Sequence, residues 1–484
     1  MGRPSINRQP NRLLEHWLSR SGLSNVQLAR AVTARAAQRG EKGINPDESR
    51  PRRWLAGETP REPVPGLITD VLSERLGLAL TREDLGFPGT RRSVPLDSPD
   101  LPWQSTSTID AIAHLTRSEI MLPHTRHSPE AAYVHSADRL LGPLQQWATA
   151  GPSELTEHPA EHTVSGRVGK KEVQGIRAIT EMFRDADNRH GGALSRRAVI
   201  AQMSDATAIL SSCSYTEATG RELFAAVADL GSVAGWMTFD AGLHKNAQHL
   251  FITALHAAAE GGDKAVGAHI LQCMARQMSH LAHYEDALDL VALAQYGGRR
   301  QISPATRSML SSLEARFQAI LGHLDESERA AGQAEEIFSL VNPADEPVHM
   351  SFFDAAELAA TLGVAHQIAA KKSKGPHRAR RAEKSLALLG TALSLRPEHR
   401  VRSKAFDHLG LARTHLVVGE VDGAHQETET ALGLFGTISS RRVADRLIEL
   451  HDEAAEFSGV AAAADLRSRI ESTVTPPGTT GPRP

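Results

Sequence analysis

Cysteine is nearly absent: Cys213 and Cys273 are the two thiols in 484 residues. Two cysteines outside any CxxC pair make no disulfide framework, and the reading is of free thiols in a reducing compartment. Aromatic residues are scarce, at 4% of the chain, and no segment alternates apolar and polar residues between hairpin turns, so a strand-built core is excluded. No apolar run approaches the roughly 20 residues that span a bilayer. The opening MGRPSINRQPNR is polar and lacks the apolar stretch of a secretion signal. The expectation is a cytoplasmic chain without membrane contact. Catalytic patterns are missing too. GRVGKKE (166–172) has the wrong glycine spacing for a phosphate loop and no Ser or Thr after the lysine. There is no HExxH and no GxSxG, and His244, His249, His280 and His283 have no further ligands in a metal-binding spacing. The expectation is a protein that is not an enzyme and carries no metal and no cofactor.

What is abundant is alanine and leucine, the residues of closely packed helices, so the fold class expected is all-α. Net charge is −3, but it is unevenly spread. Residues 1–92 carry 16 Lys and Arg against 10 Asp and Glu, a balance of +6 that leaves −9 for the rest. A basic head on an acidic body suits a polyanion contact by the head alone, and it equally suits a merely soluble basic surface. Composition sets the domain limits. A head spans 1–87. A linker with a helical segment spans 88–170: a Pro- and Ser-rich stretch at 88–105, a lone helix at 108–118 capped by Ser107, and a polar stretch at 151–170. Helix follows helix over 171–472, and the Pro/Gly/Thr-rich tail 473–484 is expected to be disordered.

The helical body repeats. Small residues recur at Gly235, Gly242, Ala247 and Ala254; at Ala275, Ala282, Ala287 and Ala294; at Ala315, Gly322, Ser327 and Ala334; and, after an interruption, at Ala412, Gly419, Ala424 and Ala431. The first three sets begin 40 residues apart. Two antiparallel helices approach closely only where side chains are small, and a Gly between them can take the left-handed cap. Leu250, Phe251 and Leu255 then fill the space between units. The pattern resembles the tetratricopeptide repeat (TPR) over roughly 230–435, with a longer period than that family and few of its aromatic positions. The resemblance implies an α-solenoid of helical hairpins. The segment 351–395 is expected to add an irregular pair, with KKSKGPHRARR (371–381) as a solvated basic turn.

In the head, GLSNVQLARAV (22–32) places Ser24 as the cap of an amphipathic helix bearing Val26, Leu28, Ala29 and Val32. A long basic connection, TARAAQRGEKGINPDE, leads to SRPRRWLAGETP (49–60), where Ser49 is the expected cap, Pro51 is tolerated in the first turn and Gly57 ends the helix. VPGLITDVLSERLG (64–77) supplies a closing helix. The order G-L-S-x-x-x-L-A then W-L-x-G-x-x-P resembles the lambda-repressor/Cro-like (XRE) helix-turn-helix family over about 10–87, the long connection being its departure from that pattern. The resemblance implies that the helix Ser49–Ala56 enters the major groove of double-stranded DNA. Arg52 and Arg53 become the base-contacting candidates, because a guanidinium fork matches guanine O6/N7. Glu48, Ser49 and Arg50 lie at the groove edge, Ser24 and Asn25 at a helix N-terminus that favours phosphate, and Arg61 is a phosphate contact just beyond. Trp54 and Leu55 are assigned to the core.

A helix-turn-helix head on TPR-like repeats resembles the actinobacterial, Streptomyces-type regulators of sporulation and antibiotic production, on the phrase AGWMTFDAGLHKNAQHLFITAL (234–255) and an Arg- and Ala-rich composition. It also resembles peptide-sensing quorum regulators. The resemblance implies a transcriptional regulator that acts as a homodimer and takes a peptide, protein or small-molecule effector on the repeat domain. The competing reading is a TPR scaffold whose basic head binds a protein partner.

Overall fold

A computed structural model describes residues 10–38, 41, 43–76, 80–82, 84–87, 99–121, 134–152, 166–192, 195–438 and 440–474. The expected tail beyond 474, most of the Pro- and Ser-rich stretch 88–105 and most of the polar stretch 151–170 lie outside the described residues. The chain divides into two compact units, Met1–Pro95 and Leu96–Pro484. The described residues are all-helical, apart from an isolated bridge between Arg167 and Ser214. No helix among them is long and apolar enough to cross a membrane.

The described residues of the first unit form four helices: α1 (Arg12–Ser21), α2 (Asn25–Gln38), α3 (Ser49–Leu55) and α4 (Val64–Leu76). Their apolar faces close on one core built from Leu14, Trp17, Leu28, Val32, Trp54, Leu67, Ile68 and Leu72, with Leu85 and Phe87 from the following segment. Asn11 ties the unit together. Its backbone N–H donates to the Leu55 carbonyl at 2.8 Å, its amide donates to the Leu85 carbonyl at 2.8 Å, and its side-chain oxygen caps α1 at Leu14. Part of the connection read as 33–48 is helix. Its first six residues, TARAAQ, continue α2 to Gln38, because none of them is a Gly or Pro that breaks helical geometry.

The second unit begins with α5 (Ser105–Met121) and α6 (Asp138–Gln145), then α7 (Lys170–His190) and α8 (Arg196–Ser212). Six helical pairs follow. They are α9 (Glu217–Asp240) with α10 (His244–Glu260), α11 (Lys264–His280) with α12 (Tyr284–Gly298), and α13 (Pro304–Leu321) with α14 (Leu324–Phe338). Next come α15 (Ala355–Lys372) with α16 (Gly375–Leu395), α17 (Val401–Val418) with α18 (Val421–Phe435), and α19 (Arg441–Ala454) with α20 (Ala461–Val474). This is the α-solenoid of hairpins that the periodicity foretold.

The small residues act as argued. Ala247, Ala254, Ala275, Ala287, Ala294, Ala315, Ala334, Ala412, Ala424 and Ala431 are each fully buried. A Cβ on Gly235 would stand 2.5 Å from the Phe251 ring, so α9 and α10 can cross there only over glycine. The four turn positions, Gly242, Ala282, Gly322 and Gly419, all have positive φ, between 65° and 93°. Ala282 holds this conformation despite its Cβ, at a cost of roughly 1 kcal/mol. Ser327, the one hydroxyl in the pattern, donates across its pair to the Ala315 carbonyl at 2.8 Å.

Three expectations are corrected. The helix placed at 108–118 with Ser107 as its cap runs over Ser105–Met121, and it is not alone. It packs on α8 and α10, and its buried Glu119 takes an ion pair from Arg196 at 2.6 Å and a hydrogen bond from the Asn246 amide. The described residues 105–121 and 134–150 thus pack into the second unit. Just past α6, the fully buried Trp147 lies against Gly267 of α11 and Gly297 of α12, and Lys264 donates to the Ala150 carbonyl at 2.8 Å. The basic turn expected at 371–381 is also mostly helix, since α16 starts at Gly375. Arg378 and Arg381 reach back to the Ser373 carbonyl and hydroxyl at 2.9 and 2.7 Å, satisfying the end of α15.

Candidate functional site

The first unit presents α3 with two unlike sides. Pro51 and Trp54 are buried, and Trp54 joins the core at 2% exposure. Leu55 packs against the same core. Arg52 and Arg53 occupy the opposite side and are exposed. Neither has an ion pair or hydrogen-bond partner among the described residues, whereas Arg35 is paired with Glu74 and Arg82 with Glu62. Glu48, Ser49, Arg50 and Arg61 are exposed as well. Arg50 lies 3.6 Å from Glu58, a loose surface pair of the kind that contributes about 0–1 kcal/mol.

Cap chemistry sets both helix starts. Ser24 and Gln27 form a reciprocal box: the Gln27 N–H donates to Ser24 Oγ at 3.3 Å, and the Ser24 N–H donates to Gln27 Oε1 at 2.8 Å. Ser24 is exposed and Asn25 half-buried at the N-terminus of α2. At α3 the expected cap is displaced. Asp47, not Ser49, caps the helix: its carboxylate accepts from the Ser49 hydroxyl at 2.6 Å, the Ser49 N–H at 2.9 Å and the Arg50 N–H at 3.2 Å. The Ser49 hydroxyl, followed by its backbone N–H, holds the Asp47 carboxyl below its ordinary range. An Asp two residues ahead of a Ser is the sequence signal for this Asx-type start.

The second unit holds a cavity of about 220 Å³. It is enclosed by the first helix of each hairpin. α9, α11, α13, α15, α17 and α19 contact one another in succession, and α7 touches both α9 and α17, closing the circuit. The closure is ionic. Arg402 of α17 forms a bidentate pair with Asp187 of α7 and reaches Asp240 of α9 at 3.0 Å. Asp240 is fully buried and also accepts from the Ser440 hydroxyl at 2.8 Å and the Gly192 N–H at 3.2 Å. Burial opposes its ionisation, but Arg402 and then Arg442 outweigh it and hold its pKa low. Sequence reasoning did not single out these residues. The available signal was Asp240 itself: an acid at a helix C-terminus opposes the helix dipole and needs a cation from elsewhere.

A second ion cluster stands on the same wall. Arg396 bridges Glu357 at 2.8 Å and Asp407 at 2.9 Å. Burial opposes the charge on Glu357, yet Arg396 and Arg276 pull its pKa down to about 2. Burial dominates at Asp407 and pushes it up to about 6. Cys273, also on the cavity wall, is pushed up to about 12 by burial, and both cysteines are free thiols. Among the described residues no group of three or more His, Cys, Asp or Glu is arranged to hold a metal ion.

The family described as the SP15 N-terminal domain matches residues 14–88, within the first unit. No curated protein matches the chain.

Proposed function

We propose that the chain is a sequence-specific DNA-binding transcriptional regulator of the XRE type, related to the actinobacterial developmental regulators, whose TPR-like body dimerises and receives an effector. The observation that carries the reading is the pair Arg52–Arg53. Two guanidinium groups stand exposed on a short helix whose other side is locked into the core by Trp54, and no carboxylate among the described residues neutralises them. Unpaired arginines held on a rigid helix suit bidentate recognition of a guanine edge. Arg61 and the N-terminus of α2 at Ser24 and Asn25 serve as phosphate contacts in this reading.

In the body, an effector inside the closed circuit of helices biases the arrangement of two heads on two operator half-sites. A full switch requires a preference of about 5 kcal/mol for one arrangement. Capture and sequencing of the DNA fragments bound by the full chain gives the operator and the half-site spacing. Binding to that operator falls steeply with salt in this reading. Arg52→Ala with Arg53→Ala abolishes specific binding while helix content by circular dichroism stays unchanged. Wild-type operator affinity in that double variant would sink the assignment of α3. A monomer by light scattering, with and without operator, would sink the dimer.

A further inference from the structure

The cavity of the second unit carries more positive charge than its walls answer. Nine arginines line it against three carboxylates, Asp187, Glu357 and Asp407. Five of these arginines are spoken for: Arg184 by Asp229, Arg396 by Glu357 and Asp407, Arg402 by Asp187 and Asp240, Arg413 by Glu449 and Glu453, and Arg446 by Glu449. Three others are not. Arg316 of α13 has no ion pair among the described residues, and its enclosed Nε has no hydrogen-bond partner. Arg276 of α11 makes one long contact, 3.4 Å to Glu357, and its Nε and Nη2 are enclosed and unpartnered. Arg442 of α19 lies 3.5 Å from Asp240, too far for a hydrogen bond from Nη1.

Arg316 and Arg442 each feel Arg276. Burial pushes Arg316 down to about 9, and Arg446, Arg276 and Arg413 push it the same way. Burial likewise brings Arg442 down to about 10, with Arg402 and Arg276 adding to the effect against Asp240. Aromatic rings hold two of the guanidinium groups in place. Arg442 lies 4.6 Å from the Trp236 centroid, 4.9 Å from Phe239 and 5.1 Å from Phe406. Arg276 lies 6.0 Å from Trp236 and 5.9 Å from Phe352.

Enclosing cations with distant counter-ions or none is costly. A fold that needed only a packed interior would place Met or Leu at these positions. Guanidinium groups facing a void with free N–H donors are instead the arrangement that receives an oxyanion, whose two or three oxygens match the fork. We propose that this cavity binds a small organic anion, a phosphate or carboxylate on a flat apolar body, with Arg276, Arg316 and Arg442 holding the oxyanion and Trp236, Phe352 and Phe406 walling the body. The proposal rests on the reading of the body as a ligand-receiving domain and is independent of what the head binds.

Thermal unfolding of the full chain tests it, with 1-naphthyl phosphate, 1-naphthoate and uncharged 1-naphthol as probes. One or both anions raise Tm in a saturable way and naphthol does not; the stronger of the two identifies the phosphate or the carboxylate as the native group. Inorganic sulfate controls for the general stabilisation that excluded anions give every protein. Arg316→Met removes an uncompensated cation, so it leaves the ligand-free Tm unchanged or raises it while losing the saturable response. Arg276→Lys keeps the charge and loses the fork, and it weakens the response about tenfold, the effect of about 1.4 kcal/mol. No saturable shift with either anion at millimolar concentration would overturn the proposal. So would an Arg316→Met variant that is destabilised yet responds like the wild type. Operator binding measured on the same samples separates the two readings: its loss leaves the anion site standing, and loss of the anion response leaves the head assignment standing.

Discussion

Arg402 and Asp187, 215 positions apart in the chain, meet in a bidentate ion pair with N–O distances of 2.7 and 3.2 Å. The pair joins α17 to α7 and turns a row of hairpins into a closed circuit around an internal cavity. A row of repeats contacts only its neighbours. Contact between α7 and α17 gathers charges from distant helices around one partly enclosed cavity, where ionic and hydrogen-bonding groups act more strongly than in open water.

The closure has a measurable consequence. Arg402→Met leaves Asp187 and Asp240 buried without their shared partner and should destabilise the body by about 3–5 kcal/mol in urea unfolding. Adding Asp187→Leu to that variant should recover part of the loss, since one of the stranded charges is then gone. A single variant within about 0.5 kcal/mol of wild type would show that the circuit is held by packing instead.

Acid should open the body before it opens a typical all-helical domain. Burial pushes His256 down to about 3, and His244 and His366 to about 4. Their unfolded values lie near 6.5. Between these limits the unfolded chain binds the extra protons, so the stability from keeping the rings neutral is complete above pH 6.5 and is lost as pH falls toward 4. Asp407, raised to about 6, acts in the opposite sense: its contribution is complete below its unfolded value and is lost as pH rises through 6. Three histidines outweigh one carboxylate, for a net loss on the order of several kcal/mol. His256 stacks on Trp103 at 3.8 Å between centroids, and neither ring nitrogen has a partner. His256→Phe keeps the stack and removes the titration. Equilibrium unfolding from pH 7 to 4 should show a shallower loss in the variant, and an unchanged pH slope would sink the assignment.

The start of α3 depends on one carboxylate. Asp47→Ala removes the acceptor of two backbone N–H groups and should cost about 1 kcal/mol. Hydrogen exchange at Ser49 and Arg50 in the full chain should then quicken about fivefold, and operator binding should weaken with it. Ser49→Ala, which loses only a hydroxyl that donates to Asp47, should have the smaller effect. The reverse order of the two variants would restore Ser49 as the cap.

The repeat, the helical class, the amphipathic faces of the first unit and the exposure of the arginine pair on α3 were all legible in the amino-acid order. Each rests on a local rule. Small residues at fixed spacing let two consecutive helices touch, a left-handed residue closes each turn, and the apolar stripe that buries Trp54 turns Arg52 and Arg53 outward. The cap at Asp47, the incorporation of α5 and Trp147 into the body, and above all the ring of arginines were decided only in three dimensions. Glu119 finds its partners 77 and 127 residues away, and the arginines of the cavity come from helices spread over more than half the chain. Charge count and periodicity say nothing about which distant groups will share one low-dielectric space, because that depends on the curvature that accumulates from hairpin to hairpin until α17 returns to α7.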